Sequence, residues 1–356
     1  MSTKVLDIDI KKTTNSNLSS FDPDNIIFGS TFTDHMFIAD YINDEWQDIR
    51  IVPTGKLQVH PANSMWHYGQ SIFEGMKAYK NENGEAFLFR PEMNAHRLNR
   101  SAIRMCMPEL PVEIFLEGLH ALMSLDKEWI PDRKGSSLYI RPFMMAWDNF
   151  LGVRASKSYR FMIICSPAGM YYAEPVKVKI EQKYTRAANG GTGMAKAAGN
   201  YGGSLYPAKL AAKEGYHQLI WTDAQEHRYV EEAGTMNLMF KIEGKLVTSP
   251  LSDTILAGVT RNSVLEIGRS WGLETDERKI SVDELIRGLQ DGTVEEAFGV
   301  GTAATVAQIK SIGLDGVDYD LPPISEDSFQ VKINTYLEDL RKGHIEDPFN
   351  WRIPIT

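Results

Sequence analysis

Residues 190–204 read GGTGMAKAAGNYGGS, and the fold class of the whole chain turns on what that stretch is. It holds one cation, Lys196, among small residues, with Asn200 and Tyr201 just beyond. Small neighbours let backbone come close to a ligand and carry no side chains that would hold water. Desolvation of that kind disfavours an ammonium, and a neutral amine is a nucleophile whose common use is a Schiff base with a carbonyl compound. A solvated surface loop has the same composition, so the stretch taken alone leaves both readings open.

The rest of the chain narrows them. Its 356 residues are enough for two or three domains or one large one, with a core that needs no staples. A formal net charge of -9 argues against a nucleic-acid partner, which would call for a basic face. Cys106 and Cys165 stand alone, in neither a CxxC nor a metal-ligand spacing, so neither a disulfide framework nor a zinc site is expected. No apolar run reaches membrane-spanning length, and the opening MSTKVLDIDIKKTTNS lacks the apolar core of a secretory signal. The expectation is a cytoplasmic protein with no membrane segment and no metal.

Upstream of the opening stretch, residues 26–42 alternate apolar and polar side chains and predict strands, with a turn at Asn43–Asp44 and a second apolar segment at 49–52. IFEGMKAYK, residues 72–80, reads as a short helix running into a strand. Asn83–Gly84 between Tyr79 and Phe87 is a hairpin signal. Arg90–Pro91 opens a helix, proline suiting its first position, and a second amphipathic helix covers 112–129. Residues 137–145 and 160–167 are apolar enough for central strands. This gives a first α+β unit over 1–168, followed by a Gly-, Tyr- and Pro-containing connection at 169–176.

A second unit follows over 177–356. It comprises an alternating strand at 176–182, a helix over 204–214, and strands at 218–222 and 230–239 interrupted by a Gly–Thr turn. Thr260 is expected to cap a helix to 271. Ser281 and Glu284 form a capping box. The last strand, at 295–300, runs into Gly301-Thr-Ala-Ala, and a final helix covers 328–342.

If Lys196 carries pyridoxal phosphate, the site must also hold a carboxylate on the ring nitrogen, so that the ring can act as an electron sink, and a donor to the phenolic oxygen. It needs phosphate donors as well, ideally amides at a helix N-terminus with an arginine. Candidates exist for each. Glu231 and Glu232 are adjacent in an apolar strand and point to opposite faces, so one can face inward while the other meets solvent. Tyr201 is five residues past the lysine. Ala257-Gly-Val-Thr260 precedes a helix, 299–305 is a second Gly/Thr-rich turn, and Arg90 precedes a helix in the first unit. A dinucleotide reading fails, because Gly191-Thr-Gly193 lacks the third glycine at its spacing.

Taken in order, the segments FGSTFTDHM, HYGQSIFEGMKAYK, LFRPEMNAHRLNRSAIRMCMP, SLYIRP, KAAGNYGGSL, EEAGTMN, AGVTRNS and GVGTAA resemble the branched-chain amino-acid aminotransferases. These belong to the class IV pyridoxal-phosphate enzymes with the D-amino-acid-aminotransferase-like fold. The segments run from about residue 28 to 306. The resemblance implies a two-domain fold of mixed α+β and α/β character. The N-terminal α+β domain would be the smaller, the larger domain would have a β-barrel-like core, and the coenzyme would lie between them. By position, Lys196 matches the lysine that forms the internal aldimine and shuttles the proton. Tyr201 matches the tyrosine on the phenolic oxygen, and Glu232 the carboxylate on the ring nitrogen. Arg90, Val259, Thr260 and Thr302 match phosphate contacts. Thr235, Ala303, Ala304 and Tyr68 resemble the substrate-carboxylate contacts. Phe28, Phe73, Tyr139 and Tyr171 resemble the apolar pocket, and Arg141 with Tyr139 the receptor for glutamate's distal carboxylate. Leu151 and Val153 resemble residues donated across a homodimer interface.

The implied activity is ping-pong transamination from L-leucine, L-isoleucine or L-valine to 2-oxoglutarate. Mammalian members carry a CxxC thiol pair where this chain has Ala304 and Ala307, so that redox switch is expected to be absent. On the same fold, the alternatives are a D-amino-acid aminotransferase and a 4-amino-4-deoxychorismate lyase. From another class, the alternative is a non-catalytic coenzyme-binding module.

Overall fold

The computed structural model describes residues 6–170, 172 and 174–356. Tyr171 lies outside them. Two compact units emerge, one formed by residues up to 170 together with 339–356, the other by 171–338.

The first unit is built on a nine-stranded sheet. Its long central strands, Ser137–Ala146 and Tyr159–Ala168, pair antiparallel over ten residues each, and His35–Ile42 and Glu45–Pro53 continue the sheet on one side. On the other side lie Met76–Lys80 and Ala86–Phe89, joined through the Asn83–Gly84 turn. Helices Pro91–Arg104 and Val112–Leu125 bury their apolar faces in this unit, and Phe115 and Phe37 both pack against Phe161 at its centre.

Three local expectations change. Of residues 26–42, only His35–Ile42 is a strand; a turn with Ser30 N–H donating to Ile27 O takes the earlier part. The short helix is Ser64–Tyr68, where Asn63 caps the Met65 N–H, while Ser71–Phe73 is a strand pairing with Ser137–Ala146. The third concerns the domain boundary. Arg352–Ile355 pairs antiparallel with Ala86–Phe89 as the outer strand of the first sheet. The unit expected over 177–356 therefore stops at 338, and the first unit holds more of the chain than the second.

The second unit contains a closed ring of six strands: Met236–Ile242, Val294–Gly301, Thr305–Leu314, Val176–Ile180, Gln218–Thr222 and Tyr229–Ala233, which pairs back to Met236–Ile242. The VKVKI pattern of residues 176–180 shows why the ring closes around a core. Val176, Val178 and Ile180 are buried with Phe240, Ile309 and Ile312, while Lys177 and Lys179 point away. Helix Val282–Asp291 carries one half of the expected capping box: Ser281 Oγ accepts from Glu284 N–H, while Glu284 Oε1 pairs with Arg278 at 2.6 Å. Among the described residues, no helix is long and apolar enough to cross a membrane.

Candidate active site

The glycine-rich stretch is folded more tightly than its composition predicts. The helix expected from residue 204 begins at Ala198 and runs to Lys213, so it includes Gly199, Gly202 and Gly203. Each glycine costs a helix about 1 kcal/mol relative to alanine, and a side-chain staple offsets that cost. Asn200 Nδ2 donates to Thr192 O at 2.8 Å and to Ala195 O at 2.9 Å, and Thr192 Oγ1 donates back to Asn200 Oδ1 at 2.7 Å. Gly193 sits where a Cβ would lie 2.7 Å from Thr254 Cα and 2.8 Å from Asp253 O, so only glycine lets the two backbones meet. The staple fixes Lys196 between buried Ala195 and Ala197, half-buried itself, with Nζ donating to Tyr201 Oη at 3.1 Å.

Glu232 is only 3% exposed, on strand Tyr229–Ala233. One carboxylate oxygen accepts from Asn237 Nδ2 at 2.9 Å and Leu256 N–H at 3.0 Å, and the other lies 2.7 Å from Arg186 Nη2. Burial pushes the Glu232 carboxyl above its ordinary range, and the Arg186 guanidinium and the Leu256 amide pull against that. Arg186 also donates to Thr254 O and, at 3.3 Å, to Gly193 O, so one guanidinium links the carboxylate to the loop three residues before Lys196. The neighbouring Glu231 departs from expectation. It faces the other side of the strand but is not a solvated residue: Oε1 accepts from Thr254 Oγ1 at 2.5 Å, Oε2 is buried with no partner, and burial raises its pKa.

Helix Val259–Ser270 starts beside this carboxylate. Its cap residue is Gly258, and Thr260, expected as the cap, is its second residue. No side chain caps this N-terminus, and its first turn holds no acidic residue. A Cβ on Gly258 would lie 2.0 Å from Asn237 Oδ1, so the backbone runs directly against the side chain that holds Glu232. A twelve-residue helix with uncapped N–H groups, a positive dipole end and no acidic residue in its own first turn fits a phosphate. With Glu232 and Lys196 in the same unit, this donor set fits pyridoxal phosphate.

Two turns flank the same end of the barrel. The pairings Asn237↔Val300 and Gly301↔Thr305 bring the Gly234–Thr235 turn beside the turn carrying Thr302, Ala303 and Ala304. Thr235 is exposed and the other three are half-buried.

The first unit gathers a second set. Tyr139 and Arg141 project from strand Ser137–Ala146, with Arg141 Nη2 donating to Tyr139 Oη at 3.0 Å. The Arg141 guanidinium lies 4.5 Å from the Phe73 ring centre, and Phe28 meets Tyr139 edge-on at 5.0 Å. Arg141 Nε is buried without a partner, so this aromatic box has an unused donor inside it. Beside it, Glu74 and Arg97 form a fully buried pair at 2.7 Å, braced by Asn94 Nδ2 donating to Glu74 at 2.8 Å. Tyr68, expected among the substrate-carboxylate contacts, donates to Leu151 O. Leu151 and Val153 are 60% and 85% exposed. Arg90 precedes helix Pro91–Arg104 with a left-handed backbone (φ 50°). Sequence reasoning missed Arg186 and Thr254, which no spacing marks, and gave no role to Asn200, noted beside the lysine. Asn237 was legible in principle, since a hairpin turning at Gly234–Thr235 must set it opposite Glu232.

Comparison with known proteins bears on the family and the fold. The model of the family "Amino-transferase class IV" matches residues 71–312. The chain is 46% identical over 339 residues to branched-chain-amino-acid aminotransferase 2 of Bacillus subtilis, covering 94% of this chain and 93% of that protein. It is 45% identical to branched-chain-amino-acid transaminase 1 of the same organism, over 94% and 95% of the two chains. Among solved structures, it resembles the branched-chain aminotransferase of Thermoproteus uzoniensis crystallised with norvaline. The TM-score is 0.75 at 26% identity, over 90% of this chain and all of that one. The Escherichia coli branched-chain amino acid aminotransferase gives 0.73 at 26% identity, over 89% and 99%.

Proposed function

The chain belongs to the class IV aminotransferases, and from that premise we propose that it transfers the amino group of L-leucine, L-isoleucine and L-valine to 2-oxoglutarate with pyridoxal phosphate as coenzyme. The observation that carries the reading is the contact between Lys196 Nζ and Tyr201 Oη, set in one unit with buried Glu232 and an uncapped helix start.

When bound, the coenzyme supplies an electron sink for the substrate Cα–H bond. This chain's residues supply the rest. Lys196 Nζ would carry the proton from the substrate Cα to the coenzyme carbon in the first half-reaction and back to Cα in the second, acting as base and then as acid. Tyr201 Oη holds Lys196 in place for that transfer. Glu232 keeps a proton on the ring nitrogen, and the Arg186 guanidinium favours the charged carboxylate against the burial that raises its pKa. Val259 and Thr260 bind phosphate through their N–H groups, assisted by Thr302 and by Arg90. The turn residues Thr235, Ala303 and Ala304, with Tyr68, bind the substrate α-carboxylate.

Two kinds of substrate must share one side-chain pocket. The rings of Phe28, Phe73 and Tyr139 favour a branched aliphatic group by apolar burial. The unused Arg141 Nε supports a role in recognising the distal carboxylate of 2-oxoglutarate and glutamate. Tyr171 is assigned to the same wall by resemblance alone. The exposure of Leu151 and Val153 supports their donation to a second copy in a homodimer, and a cytoplasmic location goes with this reading.

Borohydride treatment of the holoenzyme followed by peptide mapping tests the assignment. The pyridoxyl label should sit on Lys196, and a label on another lysine overturns it. L-leucine and L-glutamate should each bleach the coenzyme's visible band while D-alanine leaves it unchanged. Bleaching by D-alanine alone would instead favour the D-amino-acid activity.

A further inference from the structure

Arg90 is held by residues far along the chain. Its N–H donates to Trp351 O at 2.9 Å, and its guanidinium carbon lies 4.1 Å from the Trp351 ring centre. Trp351 is 8% exposed and is fixed in turn. Phe349 stacks on it at 4.2 Å with the planes 15° apart, and Phe89 meets it edge-on at 5.7 Å. The segment is folded by Asp347, whose carboxylate accepts from Phe349 N–H at 3.1 Å and Arg352 N–H at 2.7 Å. The Trp351 contact also accounts for the backbone of Arg90. A positive φ is costly for a residue with a Cβ, and the bond to Trp351 O fixes the turn that aims the side chain.

We infer that Trp351 is a positioning residue for the coenzyme phosphate, acting through Arg90. Its ring carries the guanidinium on its face and so sets the direction of the N–H donors at the guanidinium rim. Stacking of this kind restricts an arginine without consuming its donors. A long side chain that is ordered before the ligand arrives loses less freedom on binding. The inference rests on the reading of Arg90 as a phosphate ligand, and the test separates the two.

Full-length protein, stripped of coenzyme, is titrated with pyridoxal phosphate and with pyridoxal, which lacks the phosphate, and binding is followed by visible absorbance. Arg90→Ala should weaken pyridoxal phosphate on the order of 100-fold and leave pyridoxal unchanged. If it does not, the phosphate role of Arg90 is wrong. Trp351→Leu should weaken pyridoxal phosphate about tenfold and pyridoxal less than about twofold. An equal loss for both ligands, or no loss, overturns the positioning role while leaving the Arg90 assignment standing. Should the leucine variant fail to fold, Trp351→Phe decides: it keeps a ring in the stack with a weaker face, and a loss of about threefold confined to pyridoxal phosphate is expected. Unchanged discrimination between the two ligands in that variant also overturns the inference.

Discussion

Arg186 and Glu232 meet at 2.7 Å with side chains 9% and 4% exposed, a buried ion pair from residues 46 positions apart in the chain. Their pairing joins the lysine loop to the barrel strand. Removing one partner leaves a charge buried alone, which costs about 3–5 kcal/mol. Arg186→Met should therefore lower unfolding free energy by about 3 kcal/mol at neutral pH in denaturant titrations. The penalty should shrink as pH falls, because Glu232, already pushed up by burial, can then take a proton and shed its charge. A deficit that stays constant with pH would mean the arginine matters only for packing.

Glu231 gives a pH dependence of its own. Its carboxyl is raised by burial, so it favours the folded state when protonated. That contribution is complete below the unfolded value and is lost as pH rises through the folded one. Glu231→Gln keeps the acceptor for Thr254 and cannot ionise. Its stability relative to the parent chain should rise with pH from acid toward neutral, as read from denaturant midpoints across that range. A flat difference would contradict the burial argument.

Lys196→Ala should abolish turnover and leave thermal unfolding within a few degrees of the parent, since a half-buried lysine at a loop end carries little of the core. Tyr201→Phe keeps the ring and removes the oxygen 3.1 Å from Lys196 Nζ. Its loss, of about tenfold in kcat, should appear with every amino donor, because the contact acts on the lysine and not on the substrate side chain.

Arg141 should divide the substrates. Arg141→Gln is expected to raise KM for 2-oxoglutarate on the order of 100-fold, the value of a charge-assisted contact, while the leucine half-reaction changes less than about threefold. Stopped-flow measurement of the two half-reactions separately reads this directly. Equal losses for both would remove Arg141 from the distal-carboxylate role.

Gly258→Ala introduces a methyl 2.0 Å from Asn237 Oδ1. The asparagine must move from Glu232 or the helix start must shift, and the expected cost is about 2 kcal/mol of stability. Weaker coenzyme retention on gel filtration should accompany it.

Much of this was legible because the chemistry sits in short blocks. The Asn83–Gly84 hairpin, the Pro91 helix start and the Ser281 cap are local signals and appear where the residues place them. Lys196 and Tyr201 were candidates from what a coenzyme would require, and only the resemblance chose Glu232 over Glu231. What sequence could not give was long-range. Gly199, Gly202 and Gly203 argue against a helix on propensity, and only the bonds of Asn200 to Thr192 and Ala195 reverse that. Arg186 has no motif and gains its meaning from Glu232. The outer strand Arg352–Ile355 looks like a tail until its partner Ala86–Phe89, more than 260 residues earlier, is known.

That last pairing has a temporal consequence. A ribosome delivers residues 86–90 early, yet the strand and the tryptophan that complete them emerge only after all of 171–338. Domains generally fold in order of synthesis, but here the N-terminal unit must wait, its outer edge unpaired and Arg90 without its Trp351 platform, while the barrel has already had time to close. A nascent chain arrested near residue 345 would carry the barrel with its lysine loop and lack the finished phosphate arginine. Competence to hold coenzyme through Arg90 would then wait on the synthesis of residues 349–355.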